Sequence, residues 1–462
     1  MFDHYNDAKL EELTQEIEAT LPPRIDTSQL QPLSKEELLR VLGITIKHDN
    51  TNKLITFLCC VSTFTDSSQF NVSFNAPSSS GKSYIPIELS NLFPDEDVMR
   101  IGNCSPTAFF HEQGAYDKEL NIITVDLSRK LIIFIEMPNN GLLERLRPLL
   151  SHDMKEIVSK ITDKNQKGGN RTKTVVIKGY PAVIFCTAGL SIDEQELTRF
   201  ILLSPEINQE KIRESIHERI LRESNSAAYS QRLEDNPDRQ LLMERIIAIR
   251  NEEIRSINIA SPELIEEQFQ AKHSLLKPKH MRDIGKIMNI AKALALLNLW
   301  WRDRDGDTIT ASDEDIVNAL DIWGQISMSQ ELGIPPYIYN FYYEIVLSAW
   351  KEKLSDIETY APKPKGLTRQ EIRNQHYKLR ESNLNDFKLR AEILPMLETA
   401  GLILQENALE DARQKLVVPL ADVNVNLPPI NSEHGGGVTQ TNELLDAALE
   451  LFESTNSDYE AV

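Results

Sequence analysis

The residues with the clearest chemical potential are Gly81, Lys82 and Ser83, which close the run Ala76-Pro77-Ser78-Ser79-Ser80-Gly81-Lys82-Ser83. The spacing Ala76-x4-Gly81-Lys82-Ser83 is that of a phosphate-binding loop, with Ala where the first Gly usually stands. Small side chains let backbone N–H groups close around phosphate oxygens. A helix starting at Gly81 would add the exposed donors and partial positive charge of its N-terminus. In that arrangement Lys82 reaches the β- and γ-phosphates of ATP and the Ser83 hydroxyl ligates Mg2+. An alternating run, Phe70-Asn71-Val72-Ser73-Phe74, leads into the loop, and Ile85-Pro86-Ile87-Glu88-Leu89 follows it. Pro86 is compatible only with a helix's first turn.

A loop of this kind needs partners. Glu136 ends the continuous apolar run Leu131-Ile132-Ile133-Phe134-Ile135, the form of a strand buried on both faces with a carboxylate at its tip. Two carboxylates usually share the work at such a tip, one for Mg2+ and its water and one to activate the attacking water. Ile135 and Met137 flank Glu136, so Glu136 is assigned as catalytic base and as a metal contact. Asp126 is the alternative acid. Thr187 ends the run 182–187 and is placed to orient the attacking water, though a strand-end Thr also serves as an ordinary turn residue. Arg199 is a candidate arginine finger acting on a neighbouring subunit's nucleotide, and Arg282 a candidate nucleotide contact from a helix. The plain alternative for either arginine is a surface charge.

Charge distribution adds a nucleic-acid reading. The chain of 462 residues has net charge −20, which excludes a protein that coats nucleic acid over its whole surface. Residues 155–178 nevertheless hold Lys155, Lys160, Lys164, Lys167, Arg171, Lys173 and Lys178 against Glu156 and Asp163. Their pattern is a β-hairpin with Gly168-Gly169 near its tip, and Lys160, Lys164, Lys167, Arg171 and Lys173 are the expected DNA phosphate contacts. A second basic island spans Lys363 to Arg390.

The elements that must position these groups follow from periodicity. Residues 1–50 read as an N-terminal helical segment, with a helix at 10–17 and a capping box Ser34-x-x-Glu37 ahead of a second. Residues 51–205 alternate strand and helix after a lead-in helix at 53–63, which predicts a parallel α/β sheet. Strands are expected at 98–102, 121–126, 131–136, 174–177 and 182–187, a short helix at 105–112, and a helix over 141–160. Residues 206–335 read as almost wholly helical. Residues 336–424 give helices at 368–379 and 386–400 and two strands, 402–405 and 415–420, a winged-helix pattern whose second helix would face DNA. The acidic, glycine-containing stretch 425–462 reads as a disordered tail, with an amphipathic island at 443–452 suited to a partner. Cys59, Cys60, Cys104 and Cys186 lack metal-ligand spacing and read as reduced thiols. No apolar run approaches a bilayer span and no signal peptide is visible, so a cytoplasmic protein is expected.

Taken together, the loop, the Glu-tipped run, the Thr-ended run, Leu197-Thr198-Arg199-Phe200 and a helical segment with an early Arg resemble an AAA+ ATPase. The hairpin between the Glu136 region and the Thr187 strand, and the similarity of Leu197–Phe200 to a Ser-Arg-Phe finger motif, resemble the MCM-like helicases with a pre-sensor-1 hairpin. The resemblance covers about residues 40–405. It lacks the MCM N-terminal zinc-bearing domain, which suits a compact form of the sort encoded by phages and mobile elements. It implies an α/β P-loop core with an all-α lid and a C-terminal winged helix, assembled as a homo-oligomeric ring, a hexamer, that couples ATP hydrolysis to DNA movement as a DNA helicase. Glu136 would act as base, Thr187 as sensor, Arg199 in trans and Arg282 through the lid. The alternative is an ATP-dependent DNA-binding initiator, loader or regulatory switch without unwinding, which the single tip carboxylate suits.

Overall fold

The computed structural model describes residues 25–163, 171–187, 199–273, 275–355, 364–408 and 415–420. The expected helix at 10–17, the tail and its amphipathic island lie outside them. Helix α1 (Lys35–Leu42) begins with the expected capping box: Ser34 Oγ accepts the Glu37 N–H (3.2 Å) and the Glu37 carboxylate accepts the Ser34 N–H (3.1 Å). Helix α2 (Asn50–Ser62) is buried along almost its whole length. It carries Cys59 and Cys60, both buried free thiols.

The central region then runs β1 (Asn71–Asn75), α3 (Tyr84–Ser90), β2 (Val98–Ile101), β3 (Ala115–Asp117), β4 (Ile122–Asp126), β5 (Leu131–Phe134), α4 (Asn140–Leu150), β6 (Glu156–Asp163), β7 (Arg171–Lys178), β8 (Ala182–Thr187) and β9 (Phe200–Leu203). Five of these strands form an all-parallel sheet in the order β2-β5-β8-β1-β9. Both faces are covered, as parallel sheets require. Val72, Phe74, Ile133, Ile184, Cys186 and Leu203 pack into one core with Leu54, Phe57 and Leu58 of α2. Ile132, Phe134, Val183, Phe185 and Phe200 pack into another with Leu142, Leu146 and Leu149 of α4.

Several expectations change here. The strand runs 121–126 and 174–177 do not join the parallel sheet. They become β4 and β7 of a second, four-stranded sheet ordered β3-β4-β7-β6, in which β4 and β7 pair in parallel. Two insertions into the core, one between β2 and β5 and one between α4 and β8, thus share one sheet. The helix expected over 141–160 stops at Leu150, and β6 follows, because Ile157 and Ile161 alternate toward the second core as strand residues do. The helix expected at 105–112 is a single 3-10 turn, Ala108–Phe110. Strand β9 was not expected.

From 206 onward the chain forms α5 (Gln209–Ser224), α6 (Ser226–Glu234), α7 (Pro237–Asn251), β10 (Ser256–Ile259), α8 (Pro262–Lys272), α9 (His280–Leu297), β11 (Arg304–Asp305), β12 (Thr308–Ala311), α10 (Asp313–Gly324) and α11 (Ser327–Leu332). This stretch is not all-helical: β10, β12 and β11 make a small sheet. Ile246, Ile290 and Trp323 belong to the same core as Phe57 and Phe74, so these helices pack onto the parallel sheet through α2 and α9.

The C-terminal part has its own core, from Ile334 to Val417. Helix α12 (Pro336–Phe341) passes through a π-helical turn, Tyr342–Val346, into α13 (Leu347–Ser355). Strand β13 (Leu367–Thr368), α14 (Arg369–Arg380), a second helix over Asp386–Lys388, Leu389–Ile393 and Leu394–Thr399, and strands β14 (Ile403–Asn407) and β15 (Lys415–Pro419) complete it. The sheet has three strands, β13-β15-β14, rather than the expected two, because Leu367 and Thr368 pair with Val417 and Leu416.

Candidate functional site at the end of the central strand

The loop 76–83 leaves β1 at the sheet's C-terminal edge. The strand that precedes β9 in sequence, β8, lies on one side of β1, and β9 lies on the other. This is a topological switch point, where open parallel sheets leave a crevice for ligands. Ala76 is pinned by its N–H to the Thr187 carbonyl (3.3 Å), and Cys186 Sγ donates to the Lys82 carbonyl (3.4 Å). Burial pushes the Cys186 thiol up to about 12, against the opposing pull of Lys82, so it stays protonated and able to donate.

Within the loop Ser79 (φ 65°) and Gly81 (φ 84°) adopt left-handed conformations. Such residues interspersed in a turn can direct successive N–H groups to one concave side, the geometry of an anion nest. Among the described residues, the N–H groups of Ser78 to Ser83 donate to no backbone carbonyl, whereas Tyr84 N–H closes on Gly81 O (3.0 Å). Helix α3 therefore starts at Tyr84, not at Gly81. The left-handed Gly81 cannot be a helical residue, and Pro86 becomes the third residue of the helix, inside the turn where it is tolerated. Ser80 Oγ is buried and without a partner among the described residues. Lys82 and Ser83 are half-buried. Small side chains, unclaimed N–H groups and a nearby ammonium fit the phosphates of a nucleotide. Lys82 and Ser83 would contact the phosphates and Mg2+, whose charge would neutralise the oxygens.

Thr187 and Glu136 lie beside this loop. Asn75 pairs with Thr187 across β1 and β8, and Phe185 pairs with Phe134 across β8 and β5, so Glu136, two residues beyond the end of β5, leaves the sheet at the same C-terminal edge as Thr187 and Asn75. Thr187 is buried and Glu136 exposed. Strand β5 ends at Phe134, with Ile135 N–H still held by Ile101 O (2.9 Å). Asp126, the alternative acid, is at the opposite edge: it ends β4 and pairs with Lys178 (3.1 Å). Burial works to raise its pKa, but bonds from Ser128 and Lys178 hold it below the ordinary value.

The two arginines are not brought to this loop. Arg199 precedes β9, where Phe200 pairs with Asn71, and its Nε donates to Ser151 Oγ (2.8 Å). It stands at the sheet's N-terminal edge. Arg282 is exposed in the first turn of α9. One turn on, Lys286 donates to the Phe200 carbonyl (3.2 Å), and Asn289 donates to the Gln69 carbonyl (3.0 Å), which places this stretch of α9 at the same N-terminal edge as Arg199.

The hairpin of β6 and β7 forms as expected. Ile157 and Ile177 face each other toward the core, as do Ser159 and Val175. Lys160 lies on the opposite face with the exposed Val158 and is itself exposed. Lys173 lies across from Ile161, on the core-facing side, and is half-buried. The five expected contacts therefore do not share one face. Lys164 and Lys167, and the side chain of Arg171, lie outside the described residues.

Two residues escaped the sequence reading. Asn75 is 1% exposed and directs Nδ2 to Ser73 Oγ (2.9 Å) and Ser73 O (3.2 Å). Ser204, also buried, donates to the Asn75 carbonyl (2.6 Å) and accepts the Tyr337 N–H (3.2 Å), tying the end of β1 to the C-terminal unit. The runs Asn71-x-Ser73-x-Asn75 and Leu203-Ser204-Pro205 offered only polar residues in and beside strands. Away from the sheet, His273, His280 and Glu331 cluster closely enough for a metal, but Lys277 and Lys279 already pair with Glu331 (2.7 Å each). Compared with protein-family models and with curated proteins, the chain matches none. No helix among the described residues is long and apolar enough to cross a membrane.

Proposed function

We propose that the protein is an ATP-hydrolysing AAA+ motor that works as a ring on DNA, of the MCM-like helicase type, with Mg2+ as cofactor. The observation that carries this reading is the placement of 76–83 at the switch point of the parallel sheet, with six N–H groups that donate to no backbone carbonyl among the described residues and with Thr187 and Glu136 at the same C-terminal edge. In hydrolysis the oxygen of water bonds to the γ-phosphorus as the bond to the β–γ bridging oxygen breaks. ADP leaves with that electron pair, and Glu136 takes the water proton. Lys82 and the loop N–H groups hold the charge that develops on the phosphate oxygens, which is most of what phosphoryl transfer asks of a protein.

Arg199 supports assembly. It stands about six residues of strand, roughly 20 Å, from its own loop at ~3.3 Å per residue, too far to serve its own nucleotide, which makes a neighbouring chain's the proposed target. Arg282, on the same edge, belongs with Arg199 on the donating side rather than above its own loop. The exposed Lys160 and the rest of the hairpin supply DNA phosphate contact. The C-terminal unit, helix–strand–helix–helix with a three-stranded sheet, has the order of a winged helix.

The test is ATPase activity with and without single-stranded DNA for wild type, Lys82→Ala and Glu136→Gln. DNA-stimulated turnover lost in both variants, with nucleotide binding kept in Glu136→Gln, supports the motor. Nucleotide-dependent DNA binding with no strand displacement favours the initiator or switch reading, to which the exposed, solitary Glu136 lends support. If DNA leaves the rate unchanged and Lys160→Ala leaves DNA binding unchanged, the helicase reading fails.

A further inference from the structure

Asn75 has a feature that its strand does not explain. Its side chain is 1% exposed, and Oδ1 has no hydrogen-bond donor among the described residues. A buried carboxamide oxygen is ordinarily paired, and an unpaired one at a ligand crevice calls for a partner that arrives with the ligand. The amide is fixed in orientation: Nδ2 is held by both Ser73 Oγ and Ser73 O, so Oδ1 faces away from Ser73. The main chain is fixed as well, by Ser204 on the Asn75 carbonyl and by Thr187 O on the next N–H. Asn75 is therefore a rigid acceptor at the root of the phosphate-binding loop.

Its neighbours define what it accepts from. Across the sheet Asn75 and Thr187 pair directly on the adjacent strands β1 and β8, and the next strand, β5, ends two residues before Glu136. With strands about 4.8 Å apart, Asn75 and Thr187 stand side by side at the sheet's C-terminal edge, where the chain also carries Glu136 out of β5. A water seated between Asn75 and Thr187 would lie within reach of Glu136. The tip of β5 supplies a single carboxylate where two ordinarily divide the work, so one acceptor is missing from this edge unless another strand supplies it.

We propose that the Asn75 carboxamide oxygen is that acceptor: it holds one hydrogen of the attacking water while Glu136 removes the other proton and Thr187 fixes the oxygen. This rests on reading 76–83 as the nucleotide site. The water oxygen bonds to the γ-phosphorus, the bond to the β–γ bridging oxygen breaks with its electrons leaving on ADP, and the abstracted proton resides on Glu136. Asn75 gains no proton at any stage.

The test compares Asn75→Ala and Asn75→Asp with wild type and with Lys82→Ala. The readouts are kcat, affinity for a fluorescent ATP analogue, and thermal shift with and without Mg-ATP. Asn75→Ala is expected to lower kcat by about 10- to 100-fold, the effect of losing one hydrogen bond that positions the attacking water, with affinity changed by less than about 3-fold. Asn75→Asp keeps an acceptor oxygen but loses the donor to Ser73, and is expected to recover most of the kcat that Ala loses. It should also melt earlier than wild type alone and gain more from Mg-ATP. The proposal is overturned if Asn75→Ala keeps kcat within about twofold, or if both variants lose affinity and kcat in parallel, as a purely structural role at Ser73 requires. If wild type fails to bind the ATP analogue, or Lys82→Ala binds it equally well, the nucleotide reading itself falls and this inference falls with it. Normal Lys82 and Glu136 phenotypes with a silent Asn75→Ala overturn this inference alone.

Discussion

Arg199→Ala offers the sharpest test of assembly, because the structure separates its local role from its proposed one. Locally the guanidinium bonds Ser151 Oγ at 2.8 Å, in a half-buried position. Losing that bond costs about 1 kcal/mol of stability, so the variant should fold and melt within a few degrees of wild type. Its proposed role is to neutralise charge on a neighbour's nucleotide, and loss of a finger lowers turnover by on the order of 10³-fold or more. A millimolar guanidinium salt should restore little, since a free cation lacks the positioning.

The informative experiment mixes two inactive proteins. Arg199→Ala retains its own loop, and Lys82→Ala retains its own Arg199. Where a Lys82→Ala chain donates its arginine to an Arg199→Ala chain, a complete site forms. In random equal mixing about half the chains carry an intact loop, and about half of those meet an intact donor, so turnover per chain should return to about a quarter of wild type. A steady-state ATPase assay on the mixture, against each variant alone, reads this directly. Full activity in Arg199→Ala alone refutes the trans role. So does a mixture that shows co-assembly by native mass spectrometry and yet remains inert.

Two further expectations concern the fold. Gly179 has φ 88°, and a Cβ there would fall 2.1 Å from Ser128 Oγ and 2.4 Å from Ser128 N, so Gly179→Ala should destabilise the hairpin's root by about 2 kcal/mol or more, read as a lower urea midpoint and faster amide exchange in β7. For Glu331, burial alone would raise the pKa, but bonds from Lys277 and Lys279, with His280 adding a third, hold it at about 2 against an ordinary 4.5. A folded-state value below the unfolded one stabilises above the unfolded value, so on the order of 3 kcal/mol should be lost as pH falls from about 4.5 to about 2, and Glu331→Gln should flatten urea stability across that window.

The sheet's skeleton is legible because β5 and β8 are continuous apolar runs and β1 an alternating one, with turn residues between them. What escaped notice depends on pairing across long stretches of chain. Ile122–Asp126 and Arg171–Lys178 look like any strands in sequence, and only their mutual parallel pairing removes them from the central sheet. Strand β9 is obscured in the sequence because Phe200 closes the Leu197–Phe200 motif and also opens Phe-Ile-Leu-Leu. Strand β1 is the instructive case. Its alternation is the ordinary sign of a strand with one wet face, yet all five residues are buried. The polar side is satisfied internally except at the Asn75 Oδ1: Asn71 bonds Leu150 O and the Val183 N–H, and the Asn75 Nδ2 bonds Ser73. Composition cannot distinguish a solvated Asn from one buried at the centre of a sheet, so Asn75 was passed over although it adjoins the motif. Arg282 was matched to its role by order along the chain, whereas the packing of α9 decides which sheet edge it occupies.

The N-terminal edge of the sheet gathers more than Arg199. Ser151, which accepts from Arg199, is followed by His152, whose ring stacks on Tyr180 at 4.4 Å and whose carbonyl accepts the Tyr180 hydroxyl (3.3 Å). Gly179 N–H donates to Lys155 O (2.8 Å), and Leu127 N–H donates to Lys178 O (2.8 Å). Five residues, 151–155, therefore touch both the arginine and the root of the basic hairpin. Burial holds His152 down to about 4, so its ring stays neutral on Tyr180 across the physiological range. On the proposed reading, an arginine drawn toward a neighbour's γ-phosphate pulls on Ser151, and the rigid turn behind it passes the displacement to Lys155, Gly179 and the paired strands of the hairpin. At the opposite edge, Ser204 links the loop's strand to Tyr337 of the C-terminal unit. On the proposed reading the nucleotide would connect to the C-terminal unit within the chain that binds it, and to the hairpin through the chain next door. A ring of that proposed kind would couple hydrolysis at one site to movement of the adjacent subunit's hairpin, a coupling that a monomeric switch does not need.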